Sequence, residues 1–211
     1  MAVNPETVNR ILTILDELYP WDGRCFLHYE EPWQLLFATI LSAQCTDDRV
    51  NQVTAVLYKK YPSLESIANA KLLALEKVIH STGFFRAKAR HLQSSARVLL
   101  EKHNGQVPSS IEELTALSGV GRKTANVVRG HIFCLPSVVV DTHVMRISKR
   151  LGLTKNSDPV KIEFDLMRVL PKSSWIKYNH QIIAFGREIC KAPNAKCGQC
   201  FMTDICPSFK G

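Results

Sequence analysis

The residues best placed to do chemistry are Lys123 and Asp141, each at the opening of a helical pattern. Lys123 follows the turn Gly119-Val120-Gly121 and falls in the first turn of the helix that Arg122 begins. The unsatisfied N–H groups there carry partial positive charge, which disfavours an ammonium and biases the lysine towards its neutral amine. Asp141 opens the segment Asp-Thr-His-Val-Met-Arg, where the same field favours a carboxylate. A free amine and an ionised carboxylate make a nucleophile and its electrostatic partner. An ordinary lysine, with a pKa of about 10.4, is neutral in only about one molecule in a thousand near pH 7.4, so its surroundings matter. Taken singly, each residue has a plainer role. A lysine beside a glycine turn contacts phosphate or solvent, and an aspartate at a helix start is a cap.

Gly119 and Gly121 leave no Cβ to keep a phosphate from the backbone N–H groups of the Gly119-Val120-Gly121 turn. A lone G-x-G is a weak signal. The longer string L-S-G-V-G-R-K-T-A-N-V-V, apolar on both flanks, fits a module that grips the sugar–phosphate backbone without reading bases.

Cys190, Cys197, Cys200 and Cys206 are spaced C-x6-C-x2-C-x5-C. Four thiols so close together need a metal or a cluster to explain them. Structural zinc sites tend to draw two ligand pairs from separate points in the chain. Here one loop supplies all four, which favours a cubane iron–sulfur cluster over zinc. Lys191 and Lys196 lie in this loop and are available to contact a polyanion. The scattered Cys25, Cys45 and Cys134 read as small core residues.

The elements that must position these groups are helical almost throughout. Asn4-Pro5-Glu6 begins a helix with Val8, Ile11, Leu12, Leu15 and Leu18 at helical spacing. Pro32-Trp33 opens an apolar helix to about Gln44, and Asp47 reads as the N-cap of the next, which Pro62 ends. Two shorter helices cover 63–70 and 71–81, after which Gly83 exposes Phe84-Phe85. A basic helix follows, with Arg86, Lys88, Arg90, Arg97 and Lys102. The glycine turn joins helices over 110–117 and 122–133; Val138 to Val140 read as extended loop, and further helices cover 141–151, 159–170 and 175–190. The pattern is all-α, with no repeat at solenoid spacing.

At 211 residues and 45% apolar, the chain has enough material for one large domain or two interleaved ones with a proper core. A net charge of +8 suggests a nucleic-acid partner. The N-terminal segment does not read as a targeting signal, and the longest apolar runs, such as 35–41, are far too short to span a membrane. The expected place is therefore the reducing cytoplasm, associated with the nucleoid, where structural disulfides are rare.

In this order and at this spacing, L-S-A-Q-C-T-D at 41–47, L-S-G-V-G-R-K-T-A, V-D-T-H-V-M-R and the cysteine loop resemble the endonuclease III family of helix-hairpin-helix base-excision DNA glycosylases. The likeness covers nearly the whole chain. It implies an all-α protein of two lobes with a DNA-binding cleft between them. One lobe is a six-helix unit over 24–135, with the helix-hairpin-helix at about 111–130. The other joins 1–23 to 136–211 and carries the cluster loop at 190–206. It further implies a bifunctional glycosylase and lyase that removes oxidised pyrimidines and cuts 3′ to the abasic site, working as a monomer on double-stranded DNA with a [4Fe-4S] cluster. Position by position, Lys123 is the nucleophile and Asp141 its acidic partner. Gln44 fills the gap left by the extruded base, and Phe84 wedges into the opposite strand where the family often has leucine. Gly119, Val120 and Gly121 form the hairpin turn.

Two other readings share parts of this pattern. An adenine glycosylase relative has the hairpin and cluster but lacks the lysine and usually carries an extra C-terminal domain. A non-catalytic iron–sulfur DNA-binding protein explains the hairpin, charge and cysteines, but not Lys123, Asp141 and Gln44 together.

Overall fold

Side-chain caps set most of the helix starts in the computed structural model, which describes residues 4–209. Helix α1 (Pro5–Leu18) starts after Asn4, whose side chain accepts the Glu6 N–H at 3.0 Å. Proline then takes the first helical position, where its missing N–H costs nothing. Ser63, Ser110 and Asp158 cap α4 (Leu64–Ala68), α7 (Ile111–Ala116) and α10 (Pro159–Val169) in the same way.

Among the described residues every regular element is helical, eleven α-helices and three short 3-10 turns. The remaining α-helices are α2 (Pro32–Leu41), α3 (Asp47–Lys60), α5 (Leu72–Ile79), α6 (Phe85–His103), α8 (Arg122–Phe133), α9 (Thr142–Arg150) and α11 (Trp175–Glu188). Val138 to Val140 form no strand; they are a buried extended segment, with the Val139 carbonyl accepting from Asn179 Nδ2 at 3.2 Å.

Three local expectations are corrected. Helix α2 stops at Leu41 with Ser42 as its C-cap, and Gln44, expected to be its last residue, lies beyond it with a left-handed φ of 54° that no continuing helix allows. The N-cap of α3 is Thr46, which accepts the Arg49 N–H, and Asp47 is the first helical residue instead. Cys134 is not a core residue. It is the exposed, left-handed C-cap of α8, with φ 51°.

The chain divides into two compact units, Cys25–Leu135 and Met1–Arg24 with Pro136–Gly211. Residues 1–3 and 210–211 of the second expected lobe lie outside the described residues. In the first unit, α2 is buried from Trp33 to Leu41 and packs against α3, α6 and α8. A helix buried on every side sits at the centre of its unit, where each fully buried leucine contributes about 1.5–3 kcal/mol. In the second unit α11 packs on α1 and α9. Its Tyr178 is fully buried and hydrogen-bonded to Ser148 at 2.9 Å, and Lys177 pairs with Asp16 of α1 at 2.7 Å. No helix of the described residues is long and apolar enough to cross a membrane.

Candidate functional site

The hairpin between α7 and α8 is fastened from behind by α6. The Ser118 carbonyl accepts from Ser95 Oγ at 2.9 Å, and the Ser118 hydroxyl meets His91 Nδ1 at 2.9 Å. Val120 is buried beneath the turn. Gly119 is required twice over. Its φ is +78°, and a Cβ there would lie 2.7 Å from Cγ of the His91 ring. Gly121 differs: it is the N-cap of α8, exposed, and a Cβ placed on it would meet nothing within 4 Å. It offers no side-chain cap to the N–H groups of the first turn. The start of α8 therefore presents donors and a positive dipole end on an open surface, the arrangement that receives phosphate.

Lys123 is the second residue of α8 and is exposed. Asp141 belongs to the other unit, at the end of the buried Val138 to Val140 segment. It is half-buried and is the N-cap of α9, its Oδ1 accepting the Val144 N–H at 2.8 Å. The capping role and the position at a helix N-terminus are thus both real.

Gln44 and Phe84 are both exposed, Phe84 by 67%. Each is a non-glycine residue in the left-handed region, with φ 54° and 46° respectively. The turns that carry them are tied together through Lys88, which the sequence shows only as one of the charges of a basic helix. Lys88 is buried, 4% exposed, and its ammonium donates to the carbonyls of Leu41, Ala43 and Thr82, each at 2.8 Å. Burial pushes its pKa below the ordinary lysine value. The signal was present: Lys88 shares a helix face with the buried Leu92, Ala96 and Leu99, where an exposed lysine does not belong.

All four loop cysteines line one cavity of about 200 Å³, with Arg150, Phe185 and Met202 among its other walls. Arg150 Nη1 donates to Cys190 Sγ at 3.2 Å, the Met202 N–H to Cys200 Sγ at 3.5 Å, and Arg146 Nη2 to the Cys190 carbonyl at 2.8 Å. Burial, with the other three cysteines nearby, pushes the Cys200 thiol up, against the Met202 N–H. Among the described residues no three His, Cys, Asp or Glu side chains are gathered closely enough to hold a metal ion as they stand. Lys191 and Lys196 are exposed on the same loop.

Residues 37–172 match the family model described as the HhH-GPD superfamily base excision DNA repair protein. The endonuclease III of Synechocystis is 49% identical over 209 residues, covering 99% of this chain and 95% of that protein. That of Bacillus subtilis is 40% identical, covering 97% and 93%. A solved structure of a trapped covalent intermediate of endonuclease III with DNA, an estranged-adenine complex, superposes with a TM-score of 0.92 at 40% identity, over 98% of this chain and 97% of that one.

Proposed function

The chain belongs to the HhH-GPD superfamily of base excision DNA repair proteins, and we propose that Lys123 and Asp141 carry its chemistry. The activity is that of a DNA glycosylase with abasic-site lyase activity, as in the endonuclease III relatives. The observation that carries the residue assignment is an exposed lysine one residue inside an uncapped, unobstructed helix N-terminus. The strand backbone is drawn to the N–H groups of the turn, which sets the sugar within reach of the amine.

The substrates in this reading are duplexes with oxidised pyrimidines or abasic sites. A base inside the stack is out of reach, so it must be extruded at a cost of about a few kcal/mol. Gln44 and Phe84 offset that cost by occupying the vacated stack, as apolar wedges do in kinked DNA. Lys123 Nζ, as the free amine, then attacks C1′. The C1′–N bond breaks and its electron pair leaves with the base. The Asp141 carboxylate stabilises the positive charge that develops on the sugar. Loss of an amine proton and opening of the C1′–O4′ bond give the Schiff base. This makes the C2′ proton acidic; its removal expels the 3′ phosphate and cuts the strand 3′ to the lesion.

The thiol-lined cavity fits a [4Fe-4S] cluster, with Cys190, Cys197, Cys200 and Cys206 as its ligands. When bound, the cluster supplies covalent cross-links that hold the tail in shape. Lys191 and Lys196 then stand on a fixed loop that meets backbone phosphates. The net charge of +8 and the DNA partner support a place on the nucleoid, with the protein acting as a monomer. The test is whether a duplex with an oxidised pyrimidine is cut without heat or alkali. A bifunctional enzyme cuts it outright; a monofunctional one leaves an intact strand that alkali cleaves.

A further inference from the structure

Lys88 is a lysine where a lysine is least expected. Its residue is 4% exposed and lies on the inward face of α6 among apolar neighbours. Burying an ammonium is costly, and packing at that position needs only a hydrophobic side chain. The structure meets the cost in an unusual way. All three donors of the ammonium are used, and every acceptor is a backbone carbonyl: Leu41, Ala43 and Thr82, each at 2.8 Å.

The identity of those carbonyls carries the inference. Leu41 is the last residue of α2, and Ala43 lies in the turn after it, directly before Gln44. Thr82 ends the 3-10 turn that leads through Gly83 to Phe84. Phe84 is in turn the N-cap of α6, its carbonyl accepting the Lys88 backbone N–H at 3.0 Å in the first turn of that helix. One side chain therefore ties together two loops that are about forty residues apart in the chain. A cation at a helix C-terminus is favourable by itself, and here one ammonium serves two such ends, that of α2 at Leu41 and that of the 3-10 turn at Thr82.

The backbone points the same way. Four non-glycine residues among those described have positive φ: Gln44, Phe84, Asn104 and Cys134. Asn104 and Cys134 are C-caps, where the left-handed conformation is ordinary. Gln44 follows its helix at a distance, and Phe84 is an N-cap, a place where extended backbone is the norm. Such conformations persist only where the surroundings over-determine them.

We propose that Lys88 is a positioning residue whose ammonium bolts the Gln44 turn to the Phe84 turn, so that both side chains enter the duplex as one wedge. The inference rests on the reading of Gln44 and Phe84 as the residues that occupy the vacated stack. Base extrusion then has one preformed tool rather than two independently mobile ones, and its ordering cost is met at folding rather than at each encounter.

The test is a double-mutant cycle on the full-length protein, read as single-turnover excision of an oxidised pyrimidine from duplex DNA. Gln44→Ala and Phe84→Ala are made singly and together, first in the native background and then with Lys88→Met. In the native background each single substitution slows excision about tenfold or more, and the pair costs little beyond either alone, as for residues that act as a unit. With Lys88→Met, excision falls to near the level of the single variants, and the further Gln44 and Phe84 substitutions become small and multiplicative. Leu99→Ala, fully buried on the same helix, lowers Tm but keeps the native pattern. Lys88→Gln, which retains two donors, serves if the methionine variant does not fold, and gives an intermediate loss. Native-rate excision by the Lys88 variant overturns the proposal, as does coupling that survives it or is lost equally in Leu99→Ala. If Gln44→Ala and Phe84→Ala have no effect in the native background, the wedge reading itself fails and the proposal falls with it.

Discussion

Asp141 caps the helix it opens, its Oδ1 accepting the Val144 N–H at 2.8 Å. One carboxylate therefore has a structural duty and, in our reading, an electrostatic one, and two substitutions separate them. Asn caps a helix as well as Asp does, so Asp141→Asn keeps Tm within a degree or two but slows abasic-site cleavage about a hundredfold or more. Asp141→Ala shows the same kinetic loss and in addition costs about 1 kcal/mol of stability. Equal activity in Asp141→Asn and the native protein, measured by strand cleavage, contradicts the electrostatic role.

The two hairpin glycines predict opposite phenotypes. Gly119→Ala places a methyl against His91 at a φ of +78°, and we expect a loss of about 2–4 kcal/mol in denaturant unfolding. Gly121→Ala meets no neighbour and costs at most about 1 kcal/mol. Its methyl stands instead where a phosphate approaches, so affinity for lesion and undamaged duplex falls together, by about tenfold. Undiminished DNA affinity in a folded Gly121→Ala protein contradicts phosphate binding at this turn.

The cavity lined by the four cysteines predicts about four iron atoms per chain, with matching sulfide, in protein purified without air. Cys197→Ser lowers the iron content and weakens DNA binding. It leaves most of the helical circular-dichroism signal intact, since none of these four cysteines lies in the Cys25–Leu135 unit. One zinc per chain, found by metal analysis, contradicts the cluster.

Lys196 is exposed on the cysteine loop. Lys196→Glu weakens binding to lesion and undamaged DNA alike and reduces the slope of log K against log salt by about 1. A loss confined to lesion DNA contradicts a backbone contact.

Much of this architecture was legible in the residues because the signals are local. Helix caps, proline positions and apolar spacing placed the helices, and Asn4 and Asp141 do cap as their types demand. What escaped notice was non-local. Gln44 is left-handed, and the turn before it is held at the Leu41 and Ala43 carbonyls by a lysine that also bonds Thr82 of a distant turn. A sequence window cannot show a hydrogen bond spanning 47 positions, such as Lys88 to Leu41. The one available clue was a charge at an apolar register position. Cys134 misled for a related reason: its residue type suggests a core, while its place after α8 demands an exposed cap.

A Schiff base formed by Lys123 would be captured irreversibly by borohydride reduction. The purified protein is incubated with a duplex carrying an abasic site in the presence of borohydride, alongside Lys123→Gln. A lysine nucleophile at this position gives a covalent protein–DNA adduct with the native protein and none with the variant, which still binds the duplex. An adduct that persists in Lys123→Gln, or no adduct from a native protein that binds, contradicts it.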